Sequence, residues 1–486
     1  MAADLASITG MTTPTGLLIG GQWSAGKAGT IPVIDPGTED SIAEVANATP
    51  EEAVEAVGAA YAALPGWAAT PPRVRGEALR RAYELMIADA DALARLMVLE
   101  NGKALKDAKA EIVYAAEFFR WFAEEAVRID GIVKTAPSGA NRILVQHQPV
   151  GVAVLVTPWN FPAAMATRKI GPALAAGCTV VLKPAKETPL SALAVAAILS
   201  DAGVPDGVVN VVPTATAGPV VSAMLADSRV RKLSFTGSTE VGRVLLRTAS
   251  ESIINCSMEL GGNAPFLVFA DADVDAAVEG AMIAKMRNGG EACTAANRFY
   301  VHDAVADEFT QKFAARLAAL NVGHGLEEGV DLGPLVNSDT RSKVAELVES
   351  ATRDGGRLVL GGHAPDRPGY FYAPTVLDNV PATAGILGEE IFGPVAPVVR
   401  FTDTDQAIAM ANATEYGLVS YVYTKDLRLG IQVSEALESG MVGINRGVVS
   451  DPAAPFGGVK QSGLGREGGH EGLLEFTETK YIAVDW

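Results

Sequence analysis

Residues 151–201 read GVAVLVTPWNFPAAMATRKIGPALAAGCTVVLKPAKETPLSALAVAAILSD and show most clearly how the whole chain is organised. The short apolar runs at 152–156 and 179–182 are rich in β-branched residues and have the composition of buried strands. The stretches at 163–176 and 189–201 are of helical length and rich in alanine. Strands that alternate with helices in this way predict a parallel sheet with helices on both faces.

The same alternation extends along most of the remaining chain. A second alternating region runs from Met258 to about Gly458, whereas residues 51–125 have the apolar spacing of several amphipathic helices. Residues 142–149 are β-like, and the β-prone residues 476–486 are a candidate partner for them, within the chain or across a subunit boundary. The further strands are predicted at 208–212, 232–235, 264–269, 298–302 and 396–401, and the further helices at 219–226 and 239–250.

Bulk properties exclude several classes of protein. The chain has 486 residues, of which 49% are hydrophobic, and a formal net charge of −18, so we expect no nucleic-acid partner. No apolar run reaches the roughly 18–20 residues that span a bilayer, and residues 1–20 lack a secretory pattern, so no membrane association is expected. The three cysteines are far apart, which predicts neither a disulfide scaffold nor a metal site and favours a reducing cytoplasm.

Cys293 is the strongest candidate for a reactive residue. It lies among small residues in Gly-Gly-Glu-Ala-Cys-Thr-Ala-Ala-Asn-Arg, residues 289–298, which leave room for a substrate to reach its sulfur. A thiolate attacks carbonyl carbon readily and is a good leaving group. Taken alone, a single cysteine is more often a small buried apolar residue, so the chemical interpretation depends on the other motifs.

Two of these motifs contain groups that suit acyl chemistry. Asn160 lies in Thr-Pro-Trp-Asn-Phe-Pro, residues 157–162, where two prolines and two aromatic residues would hold its amide in a fixed orientation to stabilise an oxyanion. Glu259 lies in the otherwise apolar Met-Glu-Leu-Gly-Gly-Asn-Ala-Pro, residues 258–265. Burial there would raise its pKa toward neutrality and make it a usable general base. A stiff turn and a solvated carboxylate are the structural alternatives.

Two other motifs suit an anionic ligand. Phe-Thr-Gly-Ser-Thr-Glu-Val-Gly, residues 235–242, follows a strand and opens a helix, so its glycine allows a pyrophosphate to approach the helix end. It is not the usual dinucleotide fingerprint, and a simple strand-to-helix turn explains it equally well. Lys183 and Lys186 follow another strand, where a parallel sheet commonly binds phosphate, although both could be solvated surface lysines.

Together these motifs resemble the aldehyde dehydrogenase superfamily over nearly the whole chain. The matching strings occur in the order and approximate spacing of that family, and seven such matches by chance are implausible. They are Pro-Trp-Asn-Phe-Pro at 158–162, Lys-Pro-Ala at 183–185, Phe-Thr-Gly-Ser at 235–238, Glu-Leu-Gly-Gly at 259–262, the Cys293 block, Glu-Glu-Ile-Phe-Gly-Pro at 389–394 and Pro-Phe-Gly-Gly at 455–458.

The resemblance implies a mechanism. Cys293 attacks the aldehyde to give a thiohemiacetal, with the oxyanion held by Asn160 and the Cys293 backbone N–H. Hydride transfer to NAD or NADP then gives a thioester, which water activated by Glu259 hydrolyses to a carboxylate. No metal is implied.

The resemblance also assigns cofactor residues. Lys183 is expected at the adenosine ribose, Ser238 at the pyrophosphate, and Glu390 with Phe392 at the nicotinamide end. NAD-preferring relatives often have an acid at the position of Lys186, so a lysine there predicts that NADP is accepted and favoured. The other predicted cofactor residues are Thr157, Pro158, Trp159, Pro184, Gly218, Thr236, Gly237 and Leu260.

The implied architecture is α/β, with a Rossmann-like cofactor domain, an α/β catalytic domain and a small β oligomerisation arm. The expected NAD(P)-binding domain comprises residues 1–126 and 149–258, and the catalytic domain comprises residues 259–460. Residues 127–148 and 461–486 are the expected oligomerisation segments of a homodimer or homotetramer.

The substrate prediction rests on similarity to the succinate-semialdehyde dehydrogenase branch. Arg168, Arg287 and Ser450 match that branch's carboxylate-binding positions, and two guanidiniums with a hydroxyl suit an aldehyde that carries a distal carboxylate. Structural salt bridges are the competing explanation for both arginines. Ala295 stands where some members have a second cysteine, so a local disulfide switch is not expected.

Three alternatives remain at this level. The first is a dehydrogenase for another aldehyde, such as glutarate semialdehyde or a non-acidic aliphatic aldehyde. The second is an enzyme that passes the acyl group to coenzyme A, which Glu259 disfavours because it would activate competing water. The third is a non-catalytic relative, which the intact Cys293, Glu259 and Asn160 make improbable.

Overall fold

The first sheet contains the strands predicted from residues 151–250. The computed structural model describes residues 5–485. Five neighbouring strands of this sheet run parallel, and three flanking strands pair antiparallel. In spatial order they are β19 (Gly463–Leu464), β11 (Asn255–Glu259), β10 (Val230–Thr236), β7 (Val152–Val156), β8 (Thr179–Lys183), β9 (Val209–Val211), β1 (Leu17–Ile19) and β2 (Gln22–Ser24).

Helices cover both faces of this sheet, as the alternation predicts. Ala153 and Leu155 of β7 pack in one apolar cluster, whereas Val152 and Val154 pack in another, because successive side chains of a strand point to opposite faces. The helices of this part are α1 (Leu5–Thr9), α2 (Pro50–Ala69), α3 (Pro72–Ala88), α4 (Ala90–Asn101), α5 (Leu105–Glu125), α6 (Pro162–Ala176), α7 (Pro189–Asp201), α8 (Ala217–Ala226) and α9 (Thr239–Ser250).

Local sequence explains several helix ends. Thr49 and Glu52 form a capping box at the start of α2, in which each side chain binds the other residue's backbone N–H. Proline occupies the first position of α6 and of α7, where no backbone donor is needed. Gly177 ends α6 in the left-handed conformation, with φ 97°.

The second sheet follows the first in the chain and contains the strands predicted after Met258. Six of its seven strands run parallel, and the edge strand β14 is antiparallel. Their spatial order is β14 (Arg357–Leu360), β15 (Thr375–Asp378), β16 (Val395–Phe401), β13 (Ala296–His302), β12 (Ala264–Val268), β17 (Val419–Tyr423) and β18 (Met441–Ile444). The helices beside it are α10 (Val274–Met286), α11 (Asp303–Ala318), α12 (Ser338–Arg353), α13 (Thr404–Asn412) and α14 (Leu427–Ala436).

Two small antiparallel sheets complete the fold, together with α15 (Gly469–Leu474). The first consists of β20 (Thr477–Val484), β6 (Arg142–Pro149) and β5 (Ile132–Thr135), and the second of β3 (Thr30–Ile34) and β4 (Ser41–Ala46). The pairing of β20 with β6 joins the two predicted segments within one chain, from Thr477 opposite Pro149 to Val484 opposite Arg142.

These observations confirm the α/β fold class and the predicted secondary-structure elements. One detail differs from the expected division of the chain. Gly463–Leu464 hydrogen-bonds with β11 in the first sheet, although the division at residue 461 assigns it to the arm. No helix within residues 5–485 is long and apolar enough to cross a membrane.

Candidate active site

A cleft opens at the carboxyl ends of β7 and β10. From β7 the chain proceeds to β8 and β9 on one side, while β10 and β11 lie on the other, so the cleft marks the topological switch point of the sheet. Open parallel sheets bind ligands at such a point. The residues that line the cleft are Pro158, Trp159, Asn160, Met165, Thr236, Gly237, Ser238, Leu260, Gly261, Cys293, Thr340, Lys343, Glu390 and Phe392.

Ten residues predicted from the sequence are therefore brought together, and they come from both halves of the chain. Residues 158–160 follow β7, residues 236–238 end β10, and Leu260 follows β11. Cys293, Glu390 and Phe392 reach the same cleft from the part of the chain that forms the second sheet. Thr157 is buried directly before this group.

Cys293 is partly accessible in this cleft and lies just before β13. Gly262 allows the close approach of its backbone, because a Cβ at Gly262 would lie 2.4 Å from the Cys293 carbonyl oxygen. Burial raises the pKa of the Cys293 thiol to about 12, opposed by the positive charge of Arg168. The thiol is therefore protonated at neutral pH in this state and must lose its proton when it attacks a carbonyl.

Asn160 is held against the loop that contains Cys293. Its side-chain Nδ2 donates a hydrogen bond of 3.0 Å to the carbonyl oxygen of Glu291, which leaves one N–H of the amide for a ligand. Both residues are buried, and Asn160 lines the cleft beside Cys293. This arrangement suits an amide that donates to an oxyanion formed at the carbon attacked by the sulfur.

Glu259 ends β11 and directly precedes Leu260 and Gly261, which line the cleft, whereas Glu259 itself is not among the lining residues. It is buried, and neither carboxyl oxygen has a hydrogen-bond partner within the described residues. Burial, and then the negative charge of Glu467, raise the pKa of Glu259 well above its ordinary value. The direction of this shift is the one expected from the sequence, and it suits a group that exchanges protons near neutral pH.

The cleft also has the features of a dinucleotide site. Ser238 caps the N-terminus of α9, where its Oγ accepts from Val241 N at 3.4 Å. Gly237 precedes it, and a Cβ there would lie 2.5 Å from the Phe235 ring, so only glycine leaves this turn open. The free backbone N–H groups at such a helix end favour a phosphate.

The opposite end of the cleft is aromatic and acidic. The rings of Trp159 and Phe392 meet edge to face with centroids 5.5 Å apart. Glu390 accepts a hydrogen bond of 3.0 Å from Gly262 N, and burial raises its pKa to about 7. A ribose hydroxyl and a flat heterocycle fit this combination of a carboxylate and two rings.

The remaining predicted cofactor residues lie beyond the cleft, at the ends of β8 and β9. Lys183 and Pro184 are buried after β8, and burial lowers the pKa of Lys183 to about 8. The Lys183 ammonium has no ion-pair partner in the described chain and so remains available to a ligand. Lys186 is exposed and lines a neighbouring cleft with Ala215, while Gly218 is exposed in the first turn of α8.

The three predicted substrate residues differ in their surroundings. Arg287 follows α10, and its Nη1 lies 3.4 Å from Ser450 Oγ, so the structure brings these two residues together. The Arg287 guanidinium lies 5.0 Å from the Phe161 ring centroid and 5.5 Å from that of Tyr114. Across residues 5–485 it has no carboxylate within ion-pair distance.

Arg168 forms a salt bridge within the protein, which is the structural explanation that competes with a role in binding the substrate carboxylate. Its Nε lies 2.6 Å from Glu467 Oε2, and Lys169 binds the same carboxylate. The guanidinium is 2% exposed and lies 4.1 Å from the centroid of Phe456. Its Nη2 has no hydrogen-bond partner among the described residues, so this salt bridge leaves donor capacity unused.

Several site residues were not predicted from the sequence. Met165, Gly261, Thr340 and Lys343 line the cleft, and Lys343 Nζ donates to the Glu390 carbonyl oxygen at 2.8 Å. Thr340 and Lys343 belong to α12, and no local pattern there indicates a ligand. Tyr114 was also missed: burial raises its pKa, and its ring centroid lies 5.5 Å from the Arg287 guanidinium.

Comparison with known proteins agrees with this geometry. The model of the aldehyde dehydrogenase family matches residues 23–482. The chain belongs to the aldehyde dehydrogenase family. It is an NAD(P)-dependent aldehyde dehydrogenase, which confirms the prediction made from the seven motifs.

Individual members of the family are similar over almost their full length. A succinate-semialdehyde dehydrogenase of Paenarthrobacter nicotinovorans is 57% identical over 91% of this chain and 98% of its own length. A glutarate-semialdehyde dehydrogenase of Pseudomonas putida is 51% identical, covering 96% of this chain and 97% of the relative. A crystal structure of an Escherichia coli NADP-dependent enzyme superposes with a TM-score of 0.96 at 49% identity, covering 98% of both chains.

Proposed function

We propose that this aldehyde dehydrogenase oxidises succinate semialdehyde to succinate. The observation that carries the proposal is the pair of arginines beside the nucleophile, Arg287 without an ion-pair partner and Arg168 with an unused donor. The charges of both arginines act on the Cys293 thiol. Two guanidiniums near the nucleophile, in a chain with a net charge of −18, suit a substrate with a carboxylate at the end remote from the aldehyde. The relatives named for semialdehydes support the same substrate class.

In our proposal, the substrate carboxylate binds between Arg287 and Ser450. Tyr114 and the free Nη2 of Arg168 lie beside this position. Arg287 and Ser450 are already within 3.4 Å of each other, so they need little rearrangement to share one anion. The aromatic rings of Phe161 and Tyr114 pack against the Arg287 guanidinium and restrict its orientation. Held in this way, the aldehyde carbon is presented to Cys293.

Cys293 forms the covalent bond in the proposed mechanism. As its sulfur attacks the carbonyl carbon, the thiol proton passes to water in the cleft and the carbonyl oxygen becomes an oxyanion. The free N–H of the Asn160 amide and the Cys293 backbone N–H donate to that oxygen. Bound NAD(P)⁺ supplies the hydride acceptor that converts the thiohemiacetal to a thioester.

Glu259 acts in the second half of the proposed reaction. Its carboxyl group has no hydrogen-bond partner in the part of the chain described, and Glu259 directly precedes Leu260, which lines the cleft. As a carboxylate it removes a proton from water, which then attacks the thioester and releases the acid from Cys293. A raised pKa makes it a stronger base than an ordinary carboxylate once it is ionised.

NADP is the proposed preferred cofactor, with NAD as the alternative. Lys183 offers an unpaired ammonium at the end of β8, and Lys186 is exposed on the same loop. The Lys186 ammonium lies 4.0 Å from Glu187, which partly offsets its charge but leaves its solvent-facing donors free. A cation at this position stabilises a bound 2′-phosphate more than it stabilises two ribose hydroxyls.

Three further predictions remain part of the proposal. The chain divides into a cofactor domain at residues 1–126 and 149–258 and a catalytic domain at 259–460. The three-stranded sheet of β5, β6 and β20 projects hydrophobic side chains such as Val133 and Tyr481 into solvent, which supports its role in a homodimer or homotetramer. We also propose a cytoplasmic location, which the three free cysteines support.

Steady-state kinetics on three aldehydes tests the substrate. Succinate semialdehyde, glutarate semialdehyde and butanal are compared, each with NADP and with NAD. We expect kcat/KM to be highest for succinate semialdehyde with NADP and lowest for butanal, which lacks the carboxylate. A preference for glutarate semialdehyde would support the second candidate, which the Pseudomonas putida relative favours. Equal activity on butanal would contradict the arginine site altogether.

A further inference from the structure

One face of α5 approaches the active site without contacting the cleft. Lys103 lies two residues before the helix and pairs with Glu111, and Asp107 lies one turn before Glu111 on the same side of the helix. The Lys103 ammonium and the Glu111 carboxylate are buried and contact Asn160 and the start of α6. The reaction assigns no chemical step to any of them.

Lys103 holds the backbone of Asn160. Its ammonium is 2% exposed, donates to the Asn160 carbonyl oxygen at 2.8 Å and pairs with Glu111. Glu111 in turn accepts from Ala163 N at 3.0 Å and from Ala164 N at 3.2 Å, at the start of α6. The ion pair therefore fixes the backbone of Asn160 and the start of α6 that follows it.

Asn288 joins the same turn to the nucleophile loop. Its Nδ2 lies 2.9 Å from the carbonyl oxygen of Asn160 and 2.9 Å from that of Glu291. Glu291 is also the residue whose carbonyl oxygen accepts from the Asn160 side chain. Asn288 adopts φ 55°, a left-handed conformation that asparagine tolerates.

We propose that Lys103 and Asn288 are positioning residues that aim the Asn160 amide at the oxyanion. This inference rests on the proposed role of Asn160 in the reaction. Lys103 fixes the backbone of Asn160, and Asn288 sets its distance from the loop of Cys293, so together they determine where the free amide N–H points. An oxyanion donor acts only within a narrow range of distance, so a small displacement of this amide slows the chemical step.

The competing explanation is a purely structural one, in which a buried ion pair and a buried amide stabilise the fold. The two explanations differ in one measurable respect. If Lys103 and Asn288 act through the Asn160 side chain, their removal has no further effect on the chemical step once that side chain is absent. A structural role predicts the same loss in both backgrounds.

The variants are chosen to leave the fold intact. Asn288→Gly removes the bridging amide and keeps the left-handed backbone, which glycine adopts without strain. Lys103→Met is combined with Glu111→Gln, so that no unpaired charge is buried and the acceptor for α6 is retained. Lys109→Met is the matched control, because this lysine of α5 is exposed and pairs with Asp91 at 2.6 Å, away from the site.

The experiment measures the rate of the first-turnover burst of reduced cofactor with succinate semialdehyde, in the wild-type and Asn160→Ala backgrounds. In the wild-type background we expect Asn288→Gly and Lys103→Met/Glu111→Gln each to slow the burst by about 10- to 100-fold, a part of what loss of an oxyanion donor costs. In Asn160→Ala the same changes should alter the burst rate by less than about 2-fold. Lys109→Met should leave the burst rate unchanged in both backgrounds.

The outcomes separate this inference from the proposed function. A burst slowed equally in both backgrounds, or not slowed by either variant, overturns the positioning role. Asn160→Ala with the full wild-type burst rate overturns the oxyanion role of Asn160 itself, and the positioning role with it. Thermal unfolding of each variant, and its KM for NADP, show whether folding and cofactor binding are retained.

Discussion

Replacing Arg287 with methionine should selectively impair the oxidation of aldehydes that carry a distal carboxylate. Methionine retains much of the apolar volume that packs against Phe161 and Tyr114, but it removes the guanidinium. Because Arg287 has no carboxylate partner across residues 5–485, its removal leaves no buried acid unpaired. The change therefore acts on the substrate rather than on an ion pair of the protein.

The magnitude follows from the contacts of this side chain. A hydrogen bond between charged groups contributes about 1.5–3 kcal/mol, and Arg287 is only half-buried, so about 2 kcal/mol is expected. At about 1.4 kcal/mol per factor of ten, this loss lowers kcat/KM for succinate semialdehyde about 30-fold. Arg168 and Ser450 remain and retain part of the affinity. For butanal, which has no carboxylate, the change should be less than about 3-fold.

The assay is the ratio of kcat/KM for succinate semialdehyde to that for butanal, measured for the wild type and for Arg287→Met. Arg367→Met provides the matched control, since Arg367 also lies over an aromatic ring, 3.7 Å from the centroid of Phe371, but in a different cleft. The control should leave the ratio unchanged. An equal loss on both aldehydes in Arg287→Met would falsify the carboxylate-binding role, because it would show a general effect on the site.

Three further changes test other parts of the proposal. Lys186→Glu should shift the ratio of kcat/KM for NADP to that for NAD by about 10-fold or more toward NAD, because a carboxylate repels the 2′-phosphate; an unchanged ratio contradicts the role of Lys186. Glu259→Gln should give a burst of about one equivalent of reduced cofactor followed by turnover about 10²- to 10⁴-fold slower, and the loss of the burst would place Glu259 in the first half-reaction instead. Since burial raises the pKa of Cys293 to about 12, its alkylation by iodoacetamide without cofactor should accelerate about tenfold per pH unit from pH 7 to pH 10, and a plateau near pH 8 would refute the raised pKa.

Much of the fold was predictable because its signals are local. The predicted bounds of α7, α9 and β6 coincide with those in the structure. Local residues mark where the two helices begin: a proline occupies the first position of α7, and the Ser238 side chain caps α9. The alternation in residues 151–250 also predicted the parallel sheet, since a strand buried on both faces is a short apolar run.

The arrangement of the carboxylate site was predictable only in part. The resemblance to family members indicated Arg168, Arg287 and Ser450, but it left open whether the arginines bind a substrate or a protein carboxylate. The salt bridge of Arg168 joins residues that are 299 positions apart, and nothing near either of them in the sequence indicates the pairing. The partner of a buried charge depends on which elements pack together.

The same distinction applies to the catalytic groups. Short motifs, together with the family resemblance that they carry, pointed to Cys293, Glu259 and Asn160 as candidate catalytic groups, and their roles stay predictions. The contacts that orient these groups were not predictable from the sequence. Lys103 and Asn288 reach Asn160 from 57 and 128 positions away along the chain. A glycine is required at position 262 because its backbone passes close to the Cys293 carbonyl oxygen. Chemical identity is a property of the local sequence, whereas direction and distance arise only when the two sheets and α5 pack around one cleft.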